Sequence, residues 1–189
     1  MEELIQKRIE EHKETILNFN SDLQLKIKQI SEIIIKAYQS KNKVIFFGNG
    51  GSCADSQHLA TELVARYYLD RPSLPAIALT DNVSITAIGN DYSFDDIFKK
   101  QLEGHSKPGD VIIAISTSGT SPNIIKAVDR AVELNLTTIA FTGQSGGQLK
   151  DKVDICLNIP SNDTPRIQEG YMLAGHIICE IVEKELFAK

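Results

Sequence analysis

Five short apolar runs that alternate with helical patterns constrain the fold of this chain more than any other feature. A strand that is apolar along its whole length must be covered on both faces, and strands that alternate with helices are typical of a parallel sheet. The runs lie at Val44–Phe47, Ala76–Leu79, Val111–Ile115, Thr138–Phe141 and Ile155–Ile159. The helical patterns cover about residues 54–69, 83–88, 94–102, 122–135 and 165–187. The sequence therefore predicts a doubly wound α/β fold, a five-stranded parallel sheet with right-handed crossovers.

Two amphipathic helices precede the first strand, over about residues 2–19 and 21–40. Asn20, Ser21 and Asp22 interrupt the apolar pattern between them and offer an N-cap to the second helix. The helices that follow already suffice to cover the two faces of one sheet. The two N-terminal helices therefore form either a further helical layer or an interface with another copy. The chain has 189 residues, and we expect a single domain over residues 1–189, with N-terminal helices in 1–40 and an α/β core in 41–189.

Charge and cysteine content narrow the partners and the compartment. The net charge of −5 argues against broad nucleic-acid binding, and no run reaches the roughly 18 apolar residues of a membrane span. Cys53, Cys156 and Cys179 form no CxxC pair and no disulfide pattern. The charged N-terminal sequence lacks the apolar stretch of a signal peptide. We expect a cytoplasmic protein that binds neither nucleic acid nor a membrane.

A glycine-rich loop, Gly48-Asn49-Gly50-Gly51-Ser52, joins the first strand to the helix after it. Glycines let the backbone approach a ligand closely, and the free N–H groups at a helix start favour an anion. The dinucleotide pattern GxGxxG would need glycine at Cys53, and no Walker lysine follows. A plain tight turn explains the same residues, so this loop alone is weak evidence for a binding site.

A second loop, Ser116-Thr117-Ser118-Gly119-Thr120-Ser121, places five hydroxyl groups directly after the third strand. Pro122 is a favourable first helical residue, which makes Ser121 the N-cap. One hydroxyl is enough for a cap, whereas a phosphate would take several hydroxyl donors together with the N–H groups of the helix. The loop therefore predicts a phosphate site. Both loops follow strands whose carboxyl ends bind ligands in such folds.

Two helices each carry a pair of candidate metal or acid–base ligands. His58 and Glu62 are four residues apart and share one helix face, as two ligands of one metal would. A hydrogen-bonded surface pair is the alternative. Gln168 and His176 are eight apart, which separates them by about 12 Å along a straight helix. We expect them to serve one kind of site only from different subunits, and His176 alone also fits a core histidine.

As a set, these segments resemble the sugar isomerase (SIS) family and, within it, the branch that isomerises heptose 7-phosphates. The resemblance covers nearly the whole chain. It rests on GNGGS, DSQHLATEL, RPSLPAIAL, AIGNDYSF, ISTSGTSPN, FTGQSGG and RIQE followed by His176. It implies a flavodoxin-like fold, a homotetramer with active sites at subunit interfaces, and one zinc ion per subunit.

The activity that the resemblance implies is the conversion of sedoheptulose 7-phosphate to D-glycero-D-manno-heptose 7-phosphate through an enediol. This is the first step towards the activated heptose of lipopolysaccharide core or other surface glycans. The implied catalytic pair is Glu62 and His176. The implied zinc ligands are His58, Glu62, Gln168 and His176. The implied substrate contacts are Asn49, Gly50, Gly51, Ser52, Glu62, Asn90, Asp91, Ser116, Thr117, Ser118, Ser121 and Gln168.

Glu62 cannot freely act as metal ligand and base at once, so either the metal binds it loosely or the substrate displaces it. A non-enzymatic relative in the same family binds the bacterial replication initiator and lacks the glutamate and histidine at the positions of Glu62 and His176. This chain keeps both, which favours the enzyme over a binding protein. An isomerase of another sugar phosphate is the second alternative. Pro165 stands where some isomerases carry an acidic residue, so we assign it no catalytic role.

Overall fold

The computed structural model describes residues 1–188, and these contain the predicted five-stranded parallel sheet. The strands are β1 (Val44–Gly48), β2 (Ala76–Ala78), β3 (Val111–Ile115), β4 (Thr137–Thr142) and β5 (Ile155–Asn158). All neighbouring strands are parallel, in the order β2-β1-β3-β4-β5. This is the flavodoxin-like order, in which the direction of winding switches between β1 and β3. The predicted fold class is confirmed.

Residues 1–188 also form seven α-helices. They are α1 (Glu2–Leu17), α2 (Ser21–Gln39), α3 (Gly51–Val64), α4 (Asn82–Asp91), α5 (Ile97–His105), α6 (Pro122–Glu133) and α7 (Thr164–Phe187). Short 3₁₀ turns lie at Phe94–Asp96 and Leu149–Asp151. Within the described chain, no helix combines the length and the apolar composition that crossing a bilayer requires.

Two apolar layers cover the sheet, because alternate residues of each strand point to opposite faces. In β1, Val44 and Phe46 pack with residues of α2, α3 and α7, whereas Ile45 and Phe47 pack with residues of α5 and α6. All five residues of β1 are buried. Burial on both faces explains why the strands read as continuous apolar runs rather than as an alternating pattern.

The two N-terminal helices behave differently. The apolar side of α2 is buried in the core, and the side chain of Asn20 caps this helix by accepting a hydrogen bond from the Leu23 amide at 2.9 Å. This confirms a further helical layer. Helix α1 buries only Thr15 among its residues and contacts α7. Its apolar side chains Leu4, Ile5 and Leu17 remain exposed.

Helix α3 corrects the helix predicted over about residues 54–69. It begins at Gly51, because Gly50 takes the N-cap position with a positive φ of 56°. It ends at Val64, because the Arg71 guanidinium donates to the carbonyl of Glu62 at 3.0 Å and to that of Leu63 at 2.8 Å. These carbonyls would otherwise accept from the next helical turn. Gly51 and Ser52 are therefore helical residues, not loop residues.

Helix α4 is also longer than the predicted stretch over residues 83–88. Asn90 and Asp91, which the resemblance implies as substrate contacts, form its last turn. The side chain of Asp81 caps the start of this helix, accepting from the Ser84 amide at 2.8 Å.

Candidate active site

The two loops that the sequence singles out meet at the switch point between β1 and β3, which are neighbours in the sheet. Asn49 and Asn123 join them through two reciprocal side-chain hydrogen bonds of 2.9 Å each. Asn123 also accepts from the Ile124 amide at 2.9 Å and is buried. Residues 48–52 and 116–121 thus form one unit at the carboxyl edge of the sheet, which we call the loop cradle.

Residues 116–121, which we call the hydroxyl loop, are held in shape by hydrogen bonds between their own side chains and amides. The Ser116 hydroxyl accepts from the Gly119 amide at 3.2 Å, and the Ser118 hydroxyl accepts from the Thr120 amide at 3.3 Å. Ser121 occupies the predicted N-cap position of α6, with its Oγ at 3.4 Å from that of Ser116. Ser118 and Thr120 are exposed. Hydroxyl groups therefore cluster beside the N-terminus of α6, the arrangement that suits a phosphate.

Gln168 lies against the glycine-rich side of the loop cradle. A Cβ added to Gly51 would lie 2.6 Å from Nε2 of Gln168, so the close approach of this side chain depends on glycine. Next to it, the Tyr171 hydroxyl donates to Asp55 Oδ2 at 2.6 Å and lies 3.0 Å from Ser52 Oγ. Burial, and then the bond to Asp55, raises the pKa of Tyr171 well above its usual range. A neutral tyrosine thus ties α7 to the start of α3.

Further along the same two helices, His58, Glu62 and His176 come together, and we call them the histidine–glutamate cluster. His58 Nε2 lies 3.0 Å from Glu62 Oε1 and 3.3 Å from His176 Nε2. One ligand atom from each residue lies within 4.8 Å of the others. Gly175 permits this approach, since a Cβ there would lie 2.7 Å from Cδ2 of the buried Leu59. The cluster can hold a metal ion.

Two neighbours define the surroundings of the cluster. The ring of Tyr67 lies 6.0 Å from the ring of His176, and burial raises the pKa of Tyr67 to about 12. Cys179 lies one turn after His176 and is buried. Burial, and then the charge of Glu62, raises the pKa of this thiol to about 12. Without a metal ion, the Cys179 thiol therefore stays protonated at neutral pH.

The predicted site residues fall into separate places within one chain. Gln168 lies at Gly51 and apart from the histidine–glutamate cluster of the same chain, consistent with the eight residues that separate it from His176. His58 is seven residues after Gly51, which is about 10 Å along α3. Asn90 and Asp91 are exposed at the far end of α4, where the Asn90 amide donates to Asp91 at 2.9 Å.

Sequence reasoning missed several residues that shape these places. Asn123 entered the sequence analysis only as the last residue of the segment ISTSGTSPN. Its hydrogen bonds to Asn49 join residues 74 apart and could not be predicted from local spacing. Tyr171 was not singled out in the sequence, and no local pattern links it to Asp55, which is 116 residues away. Tyr67 stands beside His176 because of a tertiary contact. No spacing rule within a single helix could have found these pairs.

Comparison with known proteins gives a consistent result. The profile of the SIS domain matches residues 9–143. A phosphoheptose isomerase from Clostridium acetobutylicum is 53% identical over 95% of this chain and 91% of its own length. The structure of phosphoheptose isomerase GmhA from Neisseria gonorrhoeae superposes with a TM-score of 0.91 at 36% identity, covering 97% of this chain and 98% of that one. A phosphoheptose isomerase from Francisella tularensis gives a TM-score of 0.93 at 36% identity, covering 96% and 97%.

Proposed function

The chain belongs to the SIS domain family, and we propose that it converts sedoheptulose 7-phosphate to D-glycero-D-manno-heptose 7-phosphate. The observation that carries the proposal is the convergence of His58, Glu62 and His176 in one cluster. Moving a proton between adjacent carbons is helped by a base, an acid and an electrophile; this set supplies the first two and could hold a metal ion as the third. The substrate follows from the relatives that are named phosphoheptose isomerases.

Zinc suits the cluster by the chemistry and spacing of its donors. Two nitrogen ligands of a tetrahedral zinc ion lie roughly 3.3 Å apart when each bond is 2.0–2.1 Å long. The Nε2 atoms of His58 and His176 are separated by 3.3 Å. We propose that His58, Glu62 and His176 hold one zinc ion, with Gln168 of another copy as a fourth ligand. The bound ion would polarise the substrate carbonyl and stabilise the enediolate.

In this proposal the substrate displaces Glu62 and His176 from the ion, and these two side chains then move one proton from C1 to C2. Glu62 takes a proton from C1 while His176 gives a proton to the carbonyl oxygen on C2, and the C1–C2 double bond of the enediol forms. In the second half, His176 takes back a proton from the hydroxyl on C1, and Glu62 returns its proton to C2. The carbonyl group is then on C1, and both side chains regain their starting protonation.

The loop cradle anchors the phosphate in this proposal. Ser116, Thr117, Ser118 and Ser121 present hydroxyl groups, and the N-termini of α3 and α6 present amide groups. The glycine-rich side, with Asn49, Gly50, Gly51, Ser52 and Gln168, would contact the sugar. The donors of the cradle are neutral, so no charged side chain of the cradle balances the phosphate dianion. The partial positive charges at the helix N-termini therefore supply the electrostatic attraction for the phosphate.

We propose a homotetramer in which each active site draws on more than one copy. Gln168 and His176 are about 12 Å apart on one helix, too far for both to reach one metal ion. Apolar side chains that a partner would cover are exposed on α1 and on or just after α4, among them Leu4, Ile5, Val83, Tyr92 and Phe94.

Subunit mixing tests the shared site. Oligomers assembled from equal amounts of Glu62→Gln and Gln168→Ala chains should regain roughly a quarter of the wild-type activity, because some sites receive neither substitution. Each variant assembled alone is the control. A fully active monomer, or no recovery in mixed oligomers, would count against a shared site.

The reaction would be the first step in the synthesis of an activated heptose for lipopolysaccharide core or another surface glycan. We expect the reaction to take place in the cytoplasm, since Cys53, Cys156 and Cys179 are all free.

Nuclear magnetic resonance tests the reaction directly. The zinc-loaded protein would be incubated with sedoheptulose 7-phosphate in deuterated water, and the sugar followed over time. We expect an aldoheptose phosphate, and deuterium at C2 would report how far the proton held by Glu62 exchanges with solvent. If the sugar phosphate binds but no aldose forms, the proposed activity is wrong.

A further inference from the structure

A buried carboxylate, Glu183, organises the segment that follows α3. Its side chain is 1% exposed, and that of its partner Arg71 is 2% exposed. One oxygen of Glu183 accepts from the Tyr67 amide at 3.0 Å and from Arg71 Nε at 2.9 Å. The other accepts from the amides of Tyr68 at 2.7 Å and Leu69 at 2.9 Å. Four donors therefore converge on one carboxylate of α7.

The other nitrogens of Arg71 hold the end of α3. Nη2 donates to the carbonyl of Glu62 at 3.0 Å, and Nη1 donates to that of Leu63 at 2.8 Å. A single guanidinium thus connects the backbone of Glu62 to the side chain of Glu183. Only the planar fork of arginine offers donors in these several directions at once.

The positions of these contacts relate them to the histidine–glutamate cluster. Glu183 lies seven residues after His176, which is two helical turns and about 10 Å along α7. Glu62 belongs to the cluster itself, and its own carbonyl is held by Arg71. The Tyr67 amide is held by Glu183, and the Tyr67 ring lies 6.0 Å from that of His176.

We propose that Arg71 and Glu183 are positioning residues that set the distance between Glu62 and His176 and hold Tyr67 beside His176. The catalytic importance of these two residues rests on the proposed function. Their effect on the geometry of the cluster rests on the contacts alone. Residues that orient the ligands of a metal in this way commonly change its affinity by about 10–100-fold when they are replaced.

A second buried carboxylate in the same chain provides a matched control. Asp110, whose side chain is 0% exposed, pairs with Lys43 Nζ at 2.5 Å. It also accepts from the amides of Lys43 at 3.0 Å and Lys107 at 2.9 Å and from the Asn42 side chain at 3.1 Å. Asp110 and Lys43 directly precede β3 and β1, at the amino edge of the sheet. This pair has the same chemistry without a link to the cluster.

The first test uses the metal-free protein, with its histidine rings labelled with ¹³C and observed by ¹H–¹³C correlation. The chain has four histidines, and His176→Gln and His58→Gln assign the two signals of interest. Arg71→Lys should shift or broaden the His176 signal, because the end of α3 loses its anchor and Glu183, which holds the Tyr67 amide, loses its guanidinium partner. Asp110→Asn should leave it unchanged. The proposal fails if Arg71→Lys leaves this signal in place, or if Asp110→Asn moves it equally.

The second test measures the affinity of the cluster for Co²⁺ by visible absorption, together with the unfolding temperature. We expect Arg71→Lys to weaken Co²⁺ binding by about tenfold and Asp110→Asn to change it by less than about twofold, although both lower the unfolding temperature. Equal changes in affinity would reduce Arg71 to a purely structural role. These readouts need no substrate, so a protein that binds Co²⁺ as expected but fails to isomerise the sugar would overturn the proposed function and leave this inference standing.

Discussion

Within the loop cradle, residues 116–121 are held in shape by contacts between residues a few positions apart, and the Asn49–Asn123 pair joins the two loops, whereas the histidine–glutamate cluster joins side chains that are 118 residues apart. In the cradle, the Ser116 and Ser118 hydroxyls accept from amides two or three residues further on. In the cluster, His176 meets His58 only because α7 packs against α3. Local backbone geometry thus shapes one region, and helix packing shapes the other.

The two regions also differ in charge. The cradle consists of hydroxyl groups, amides and backbone, which do not titrate near neutral pH. The cluster consists of two imidazoles and a carboxylate, and its neighbouring segment depends on the ionised Glu183. We therefore expect substitutions in the cradle to affect binding of the phosphate and substitutions in the cluster to affect turnover.

The largest expected effect is that of Glu62→Gln. The amide keeps the shape of the side chain but cannot take a proton, so kcat should fall by a factor of about 10²–10⁴ with KM nearly unchanged. Glu133→Gln is the control, since Glu133 is exposed and belongs to α6 on the other face of the sheet. Steady-state kinetics with sedoheptulose 7-phosphate measure both. Near-normal kcat in Glu62→Gln would remove Glu62 from the chemistry.

The opposite pattern is expected for Ser118→Ala in the loop cradle. Loss of a hydroxyl that bonds a charged phosphate should raise KM by about tenfold while kcat stays within about twofold. Ser145→Ala is a closely matched control. Ser145 accepts from the Gly147 amide at 3.3 Å, as Ser118 accepts from the Thr120 amide at 3.3 Å. If Ser145→Ala raises KM equally, the cradle does not bind the phosphate through Ser118.

The same contrast explains what the sequence could predict. The strands and their parallel arrangement could be predicted because each strand is a continuous apolar run. The hydroxyl loop could be predicted because its residues are consecutive in the sequence. His58 and Glu62 were found as a pair because they share one helix face. Spacing within one helix did not join them to His176; only the family resemblance did, by implying all three as ligands of one zinc ion.

The end of α3 shows why some boundaries escape sequence reasoning. The apolar pattern continues beyond Val64, which favoured a helix to about residue 69. The helix stops because Arg71 takes the carbonyls of its last turn and Glu183 takes the amides of residues 67–69. Arg71 and Glu183 are 112 residues apart. Tertiary partners at that separation leave no signal in the local pattern.

A smaller effect is expected for Gly51→Ala, which perturbs the contact between the cradle and Gln168. The added Cβ would displace the Gln168 side chain, whose Nε2 would lie only 2.6 Å away. A cost of about 1 kcal/mol corresponds to roughly a fivefold increase in KM. Co²⁺ affinity should also fall if Gln168 ligates the metal of another copy. Gly104→Ala is the control, because a Cβ there meets nothing within 4 Å. Unchanged KM and metal affinity would exclude Gln168 from the site.

The smallest effect appears only in acid, and it separates the two regions by their charge. Burial opposes ionisation of Glu183, but the hydrogen bonds from residues 67–69 and from Arg71 outweigh it and lower the pKa of this carboxyl below its usual range. Its contribution to stability is therefore fully present above the pKa of an unfolded glutamate, about 4.3. That contribution is lost as the pH falls through the lower, folded value.

Amide hydrogen exchange at decreasing pH measures this loss residue by residue. After correction for the intrinsic pH dependence of exchange, the amides of Tyr67, Tyr68 and Leu69 should lose protection in acid. The Gly119 amide, which donates to the Ser116 hydroxyl and lies in the uncharged cradle, should keep its protection over the same range. At neutral pH neither region should change. Loss of protection at Gly119 before Tyr68 would contradict the division between an uncharged cradle and a cluster whose surroundings depend on an ionised carboxylate.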